Sequence, residues 1–288
     1  MQQLTYTGPQ SLEWREAPEP KLSSDRAALV RPRTVATCDL DQLIIQGSSP
    51  FSPPLAIGHE CVAEVLEVGD GVSTLQPGEL VSVPFQISCG ECSACRRGRT
   101  SNCTEVAFMS TYGFGPAVER WGGFLSDTVC VPYAEHMLVK LPAGLDPATV
   151  ASAYVDESAD RRATAQAVGA ETLAEIPKRL GPFPITVDAS ADPEGLALAL
   201  RSTAPDGICT SCAIYFGEQP TMPLLEMYTK GITFKTGRAN ARPAIPHVLA
   251  LAATDELHLQ RVTTRVVGWG EAADALLEGD WTKLVIER

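Results

Sequence analysis

The sequence predicts a mixed α/β protein of two domains, on three observations. Its 288 residues are enough for two domains and a substantial core. Hydrophobic residues at 44% and charged residues at 20% are the proportions of an ordinary globular protein. Strand-like apolar runs dominate the first half, whereas strands alternate with helical stretches in the second, the signature of a parallel sheet.

Taken in order, AALVRPRTVAT is an apparent strand that ends just before Cys38. AIGHECVAEVLEVG opens another, its apolar residues alternating after Gly58-His59-Glu60. ISCGECSACRRGRTSNC is a polar, cysteine-rich loop. Beyond it, Ala153-Tyr154-Val155-Asp156 reads as a strand and Ser158–Leu173 as a helix. The strands ITVDAS (185–190), ICTSCAIYF (208–216) and GITFKTGR (231–238) follow, interleaved with helices at Pro193–Arg201, Met222–Tyr228 and Pro246–Ala253. The strand RVTTRVV and the short helix EAADALL come before the end. No repeat, low-complexity tract or Gly/Pro-rich linker stands out, so the junction Ser152–Ala153 is the expected domain boundary.

Lys and Arg total 23 against 35 Asp and Glu, a net charge of −12. That balance argues against nucleic acid or an anionic membrane as the main partner. No apolar run approaches the roughly 20 residues of a membrane span, and MQQLTYTGPQSLEWREAPEP lacks the regions of a signal peptide. A cytoplasmic location is expected. The nine cysteines are then read as metal ligands or buried thiols rather than disulfides.

Cys89, Cys92, Cys95 and Cys103 follow C-x2-C-x2-C-x7-C. A folded-back loop with that spacing can set four thiolates tetrahedrally around one ion, and zinc is the usual occupant of a closed four-cysteine site. Arg96, Arg97 and Arg99 partly offset the charge of such a tetrathiolate. Three cysteines at this spacing also occur in iron–sulfur ferredoxins, and four unrelated cysteines in a polar loop are the bland alternative. Upstream, Cys38, His59 and Glu60 supply a thiolate, an imidazole and a carboxylate. Three protein ligands with an open fourth position define a catalytic zinc site. Asp41 could accept the second ring N–H of His59. A lone Cys and His some twenty residues apart are, by themselves, more often structural.

TCDLDQ, GHECVAEVLEVGDGVSTLQPGELVSVPF, the cysteine loop, WGGFLSDTVCVP and KLPAGLDPATVAS together resemble the zinc-containing medium-chain dehydrogenase/reductase (alcohol/polyol dehydrogenase) family. The resemblance is continuous over Met1–Ser152 and resumes through Tyr154–Arg288. It implies a GroES-like β-barrel domain carrying both zincs, at 1–152. It further implies a Rossmann-like domain at 153–258 and a segment at 259–288 that returns to the first domain. In family terms Cys38 and His59 are catalytic-zinc ligands, with Glu60 a third ligand or an exchanging neighbour. Asp156 takes the position of the acid that holds a nucleotide ribose. A dimer through the Rossmann edge strand, hence a possible homodimer, is the family precedent.

Two departures shape the functional expectation. Between Ser152 and Ala153 the family's linking helix, first Rossmann strand, glycine-rich turn and following helix are missing, roughly fifty residues by the usual size of such units. The parallel sheet is therefore expected to be truncated. Strand 153–156 and the strand at 208–216 are left to pair directly or to expose their edges. The turn would have supplied the backbone N–H groups and helix N-terminus that hold a pyrophosphate. Gly113-Phe114-Gly115 lacks a preceding strand, and Gly268-Trp269-Gly270-Glu271-Ala272-Ala273 puts Trp269 and Glu271 where phosphate would sit. Arg238 and Arg242 are the best remaining anion-binding pair. Second, Leu40 and Leu43 stand where the family runs a proton relay.

Three functions compete. The first is a zinc enzyme of non-redox chemistry (lyase, hydratase, cyclase or hydrolase) on a small polar or carbonyl substrate, without bound NAD(P), in which Asp39, Asp41 or Glu60 is the nearest base. The second is an NAD(P)-dependent alcohol or polyol dehydrogenase with an atypical nucleotide site, and the third a non-catalytic remnant. Fold does not choose among them. Cys61, Cys130, Cys209 and Cys212 read as core thiols, and the spacing of Cys209 and Cys212 along a strand argues against a redox pair. His136 is expected in a loop and His247 and His258 beside a helix. Trp121 is read as part of a turn that closes the barrel or walls the substrate cleft.

Overall fold

The structure, a computed structural model, describes residues 1–116, 118–145, 159–167, 170–174, 176–217, 219–254 and 259–288. The strand expected at 153–156, with Asp156 in it, lies outside the described residues, as does His258. The chain forms two compact units: Met1–Tyr154 with Asn240–Arg288, and Val155–Ala239. The segment Asn240–Thr254, placed with the second domain from sequence, groups with the first unit.

The first unit is built on strands. β1 (Gln2–Gly8), β2 (Ser11–Glu16), β3 (Ala28–Ala36), helix α1 (Asp39–Ile45), β4 (Leu55–Ala56), β5 (Glu60–Val68) and β6 (Leu80–Val83) come first. The short helices α2 (Ser93–Arg96), α3 (Val118–Trp121) and α4 (Ala134–Met137), with β7 (Val129–Val131) and β8 (Val139–Lys140), complete the N-terminal part. Buried and half-buried residues alternate along most of β3, as a strand with one face on a core requires. Its inward residues Ala28, Val30 and Val35 join Leu4, Tyr6, Ala63, Val65 and Phe124 in one continuous core.

Register carries this pattern to the site. β3 pairs antiparallel with β5, Val35 opposite Cys61 and Ala36 opposite Glu60. The end of β3, with Cys38 just beyond it, thus lies beside the start of β5, where His59 and Glu60 sit. A one-residue slip would turn the whole apolar set outward, so the buried face holds this register.

The second unit contains α5 (Ala159–Ala167), β9 (Phe183–Asp188), α6 (Pro193–Ser202), β10 (Thr203–Ser211), α7 (Leu224–Lys230) and β11 (Thr233–Thr236). Its described strands form a parallel sheet in the order β11-β10-β9, with Ile208 of β10 opposite Ile185 and Thr233. Asp192 caps α6, accepting from the N–H groups of Glu194 and Gly195, and Pro193 opens the helix. Leu196, Ala199 and Leu200 of α6 pack on Cys209 of β10. β10 has β9 on one side and β11 on the other, which corrects the expectation that the strand near 208–216 pairs directly with 153–156 or is left with a bare edge.

The chain returns to the first unit through α8 (Ala241–Ala253), β12 (Arg265–Gly268), α9 (Ala272–Glu278) and β13 (Leu284–Glu287). β13 pairs with β3 on the side away from β5, Val285 opposite Ala36. The hydroxyl of Thr37 donates to the Leu284 carbonyl and accepts the Leu284 N–H, fastening the C-terminal strand beside Cys38.

Candidate metal centres

The four cysteines of the polar loop converge. Cys92 caps α2, its sulfur accepting the Cys95 N–H, and the Cys89 sulfur accepts the N–H groups of Glu91 and Cys92. The Cys103 sulfur accepts the Cys89 N–H. All four sulfurs lie within 4.8 Å of one another, and those of Cys89 and Cys95 are 4.0 Å apart. A tetrahedron of thiolates about 2.3 Å from zinc has edges of about 3.8 Å, whereas a disulfide needs about 2.05 Å. The spacing suits a shared ion, and all nine cysteines are free thiols.

Backbone N–H groups of Thr104 and Cys95 pull the Cys92 thiol down to about 5. Burial pushes Cys95 and Cys103 up. Without a cation the sulfurs cannot all ionise together, so this donor set fits a divalent ion that neutralises them.

The loop is anchored on two sides. Asn240 accepts from the N–H and hydroxyl of Ser101 at 3.0 and 2.9 Å, Gln86 accepts the Ala241 N–H, and Arg242 donates to the His136 carbonyl. His136 lies in α4 rather than in a loop. Its ring bonds the Ser88 hydroxyl at 3.0 Å and lies where a Cβ on Gly90 would fall. Burial, then the charges of Arg242 and Arg26, hold its pKa down. Arg242 is thus engaged with α4, while Arg238 follows β11 in the second unit.

The second cluster is assembled from distant parts of the chain. Cys38 caps α1 in a capping box: its sulfur accepts the Leu40 N–H, and Asp41 accepts the Cys38 N–H at 2.8 Å. His59 stands at the start of β5, held by its neighbour Gly58. A Cβ on Gly113 would lie 2.3 Å from the Gly58 carbonyl oxygen, and one on Gly58 would lie 2.8 Å from the Leu125 nitrogen. Both glycines also have positive φ, so no other residue fits. Gly113 is therefore a packing residue of this site, not a phosphate turn.

The Cys38 sulfur and His59 Nε2 are 3.1 Å apart, and a Glu60 oxygen completes a set within 4.8 Å. Asp41 Oδ1 lies 3.3 Å from His59 Nδ1, a buried nitrogen that makes no hydrogen bond. Burial lowers the His59 pKa, but Asp41 and Cys38 outweigh it and hold the ring well above its ordinary value. Asp41 is buried, accepts the Cys38 N–H and lies beside the His59 ring, a place suited to orienting both; Asp39 is exposed in the first turn of α1. Leu40 belongs to the core.

Two features escaped the sequence reading. Lys283, only 2% exposed, pairs its ammonium with the Glu60 carboxylate. The one clue was a lysine opening the apolar run of β13. Phe85 and Phe114 meet the His59 ring edge-on, at 6.1 and 5.2 Å, and Phe51 packs on Phe114 at 5.6 Å. Three aromatics scattered over sixty residues carry no local pattern.

The other glycine turn is closed by its own acid: the Gly268 N–H donates to Glu271 at 3.0 Å. Cys209 is buried, as a core thiol should be, but Cys212 is exposed just past the end of β10 and is not the core thiol expected.

Residues 24–143 match the family model of the alcohol dehydrogenase GroES-like domain. A glutathione-independent formaldehyde dehydrogenase of Pseudomonas aeruginosa is 35% identical over 147 residues, 48% of this chain and 37% of that protein. The chain thus carries an alcohol dehydrogenase GroES-like domain and is similar over that part to zinc-type alcohol dehydrogenases. An L-galactonate-5-dehydrogenase of Escherichia coli is 30% identical over 210 residues, 71% of this chain and 57% of that protein. The matched stretches thus cover less than two thirds of these relatives. The alcohol dehydrogenase TADH from Thermus sp. ATN1 superposes with a TM-score of 0.86 at 23% identity, covering 100% of this chain and 99% of that one, a likeness of fold. Among the described residues no helix is long and apolar enough to cross a membrane.

Proposed function

We propose that the chain is a zinc enzyme acting on the oxygen of a small alcohol or carbonyl compound in non-redox chemistry, without a bound nicotinamide nucleotide. The observation that carries this is the convergence of Cys38, His59 and Glu60, a donor set suited to zinc. Zinc bound there supplies a Lewis acid or a source of hydroxide. Cys38 and His59 hold it, Asp41 orients both, and Glu60 either ligates or turns to Lys283. Phe51, Phe85 and Phe114 form an apolar wall beside His59 that favours a substrate with a hydrocarbon or aromatic group over a polyol. The four-cysteine loop holds a second, structural zinc, and the enzyme works in the cytoplasm.

The nucleotide-free part rests on the sequence, which runs from Ser152 to Ala153 where the family has its glycine-rich turn. One ribose bond from Asp156 is worth only about 1–3 kcal/mol, too little to replace several backbone N–H groups around a pyrophosphate. A second reading, an NAD(P)-dependent dehydrogenase, is favoured by the relatives, which are dehydrogenases by name. The test follows substrate conversion in nucleotide-free buffer with and without a chelator. Chelator-sensitive conversion supports the proposal; conversion only on adding NAD(H) or NADP(H) replaces it with the second reading.

A further inference from the structure

A cavity of about 370 Å³ lies in the first unit, against the arm of the cysteine loop that follows Cys103. None of its lining residues belongs to the Cys38–His59–Glu60 cluster. Its size is within the range of small-ligand sites.

The walls combine two aromatic rings with two guanidinium groups. Arg120 stacks 4.7 Å from the Trp121 ring centre and Arg26 5.4 Å from that of Tyr133. Stacking holds a guanidinium flat and limits the freedom it loses on binding. The two charges are not equivalent. Arg26 is clamped in a fork by Glu91, at 2.7 and 3.2 Å. Arg120 makes no ion pair among the described residues. Glu105 adds one negative charge to the lining. Two guanidinium groups against one carboxylate leave the lining a net charge of +1, enough for one carboxylate but not for a doubly charged phosphate; Arg120 is the one free to pair with it, and the rings and Val106 suit a flat apolar body.

We infer that this cavity binds a small aromatic monocarboxylate, its ring along Trp121 and Tyr133 and its carboxylate on Arg120. The inference is independent of the chemistry proposed for the zinc cluster. The test is calorimetric titration of the zinc-loaded full chain with benzoate, which could also reach zinc, so His59→Ala is titrated alongside. Benzoate is expected to bind the parent and His59→Ala alike. Arg120→Ala should weaken it at least about tenfold, as loss of a charge-assisted bond implies, and Trp121→Ala should weaken it as well. Arg120 is exposed, so its variant should melt with the parent. Phosphate should bind more weakly than benzoate. No benzoate binding, binding lost in His59→Ala but untouched in Arg120→Ala, or phosphate binding more tightly than benzoate would each overturn the assignment.

Discussion

The two ligand clusters of the first unit are built on opposite plans. The cysteine loop draws four like candidate ligands from fifteen consecutive residues, 89–103, and ties the sulfurs of Cys89, Cys92 and Cys103 with neighbouring N–H groups. The Cys38–His59–Glu60 cluster draws three unlike ligands from the ends of two strands and takes a counter-charge, Lys283, from the far end of the chain. The first plan leaves an ion no free position. The second leaves one open and gives its carboxylate an alternative partner. Closure suits stability, and openness suits chemistry.

The contrast is sharpest where the loop is broken. Cys92→Ser should lose the structural zinc and, because binding free energy is folding free energy, several kcal/mol of stability. A fall of about 10 °C or more in Tm is expected by calorimetry for a chain of this size. His59→Ala should abolish turnover while lowering Tm far less; equal losses of stability in both variants would erase the distinction between the two plans.

Lys283 tests the second plan from the other side. Lys283→Met leaves Glu60 without its partner, but Glu60 is 30% exposed and water can reach it. The cost should fall below the roughly 3–5 kcal/mol of a fully buried pair, at about 1–3 kcal/mol. In a double-mutant cycle Glu60→Gln should recover part of it. Additive losses would show that the pair is incidental.

The anchoring of the loop on α8 predicts a smaller effect. Asn240→Ala removes the acceptor for Ser101 and should cost about 1–2 kcal/mol in chemical denaturation, together with faster zinc release to a chelator. Unchanged zinc release would mean that the loop holds its shape alone.

The smallest effect is electrostatic. Burial raises the Asp127 pKa, but the Gln2 N–H and Arg288 outweigh it, and the net shift is downward. Its stabilisation is therefore complete above the ordinary carboxylate range and is lost as pH falls through the lowered value. Because Asp127 is 39% exposed, Asp127→Asn should change stability at neutral pH by under about 1 kcal/mol, and by less still in strong acid.

These differences also explain what was legible in the sequence. The loop was, because its four ligands share one turn-rich stretch. Cys38, His59 and Glu60 were legible as residue types, but only the register of Ala36 against Glu60 brings them together. Lys283 and the three phenylalanines were not, since their proximity arises from strand order, which no local pattern encodes. In the second unit α6 begins where Asp192-Pro193 indicates; in the first, α8 starts at Ala241 ahead of Pro243 and Pro246, where Asn240 holds Ser101 and Gln86 accepts the Ala241 N–H. The expected strand at 208–216 runs instead from Thr203 to Ser211, ending where Cys212 bonds back to Asp188.

Zinc content measured before and after mild chelation, on the parent chain and on His59→Ala, tests the contrast most directly. Two zinc ions per chain are expected, one for each cluster, with one removed by chelation and by His59→Ala while the four-cysteine ion resists both. A single zinc, unaffected by His59→Ala, would contradict it.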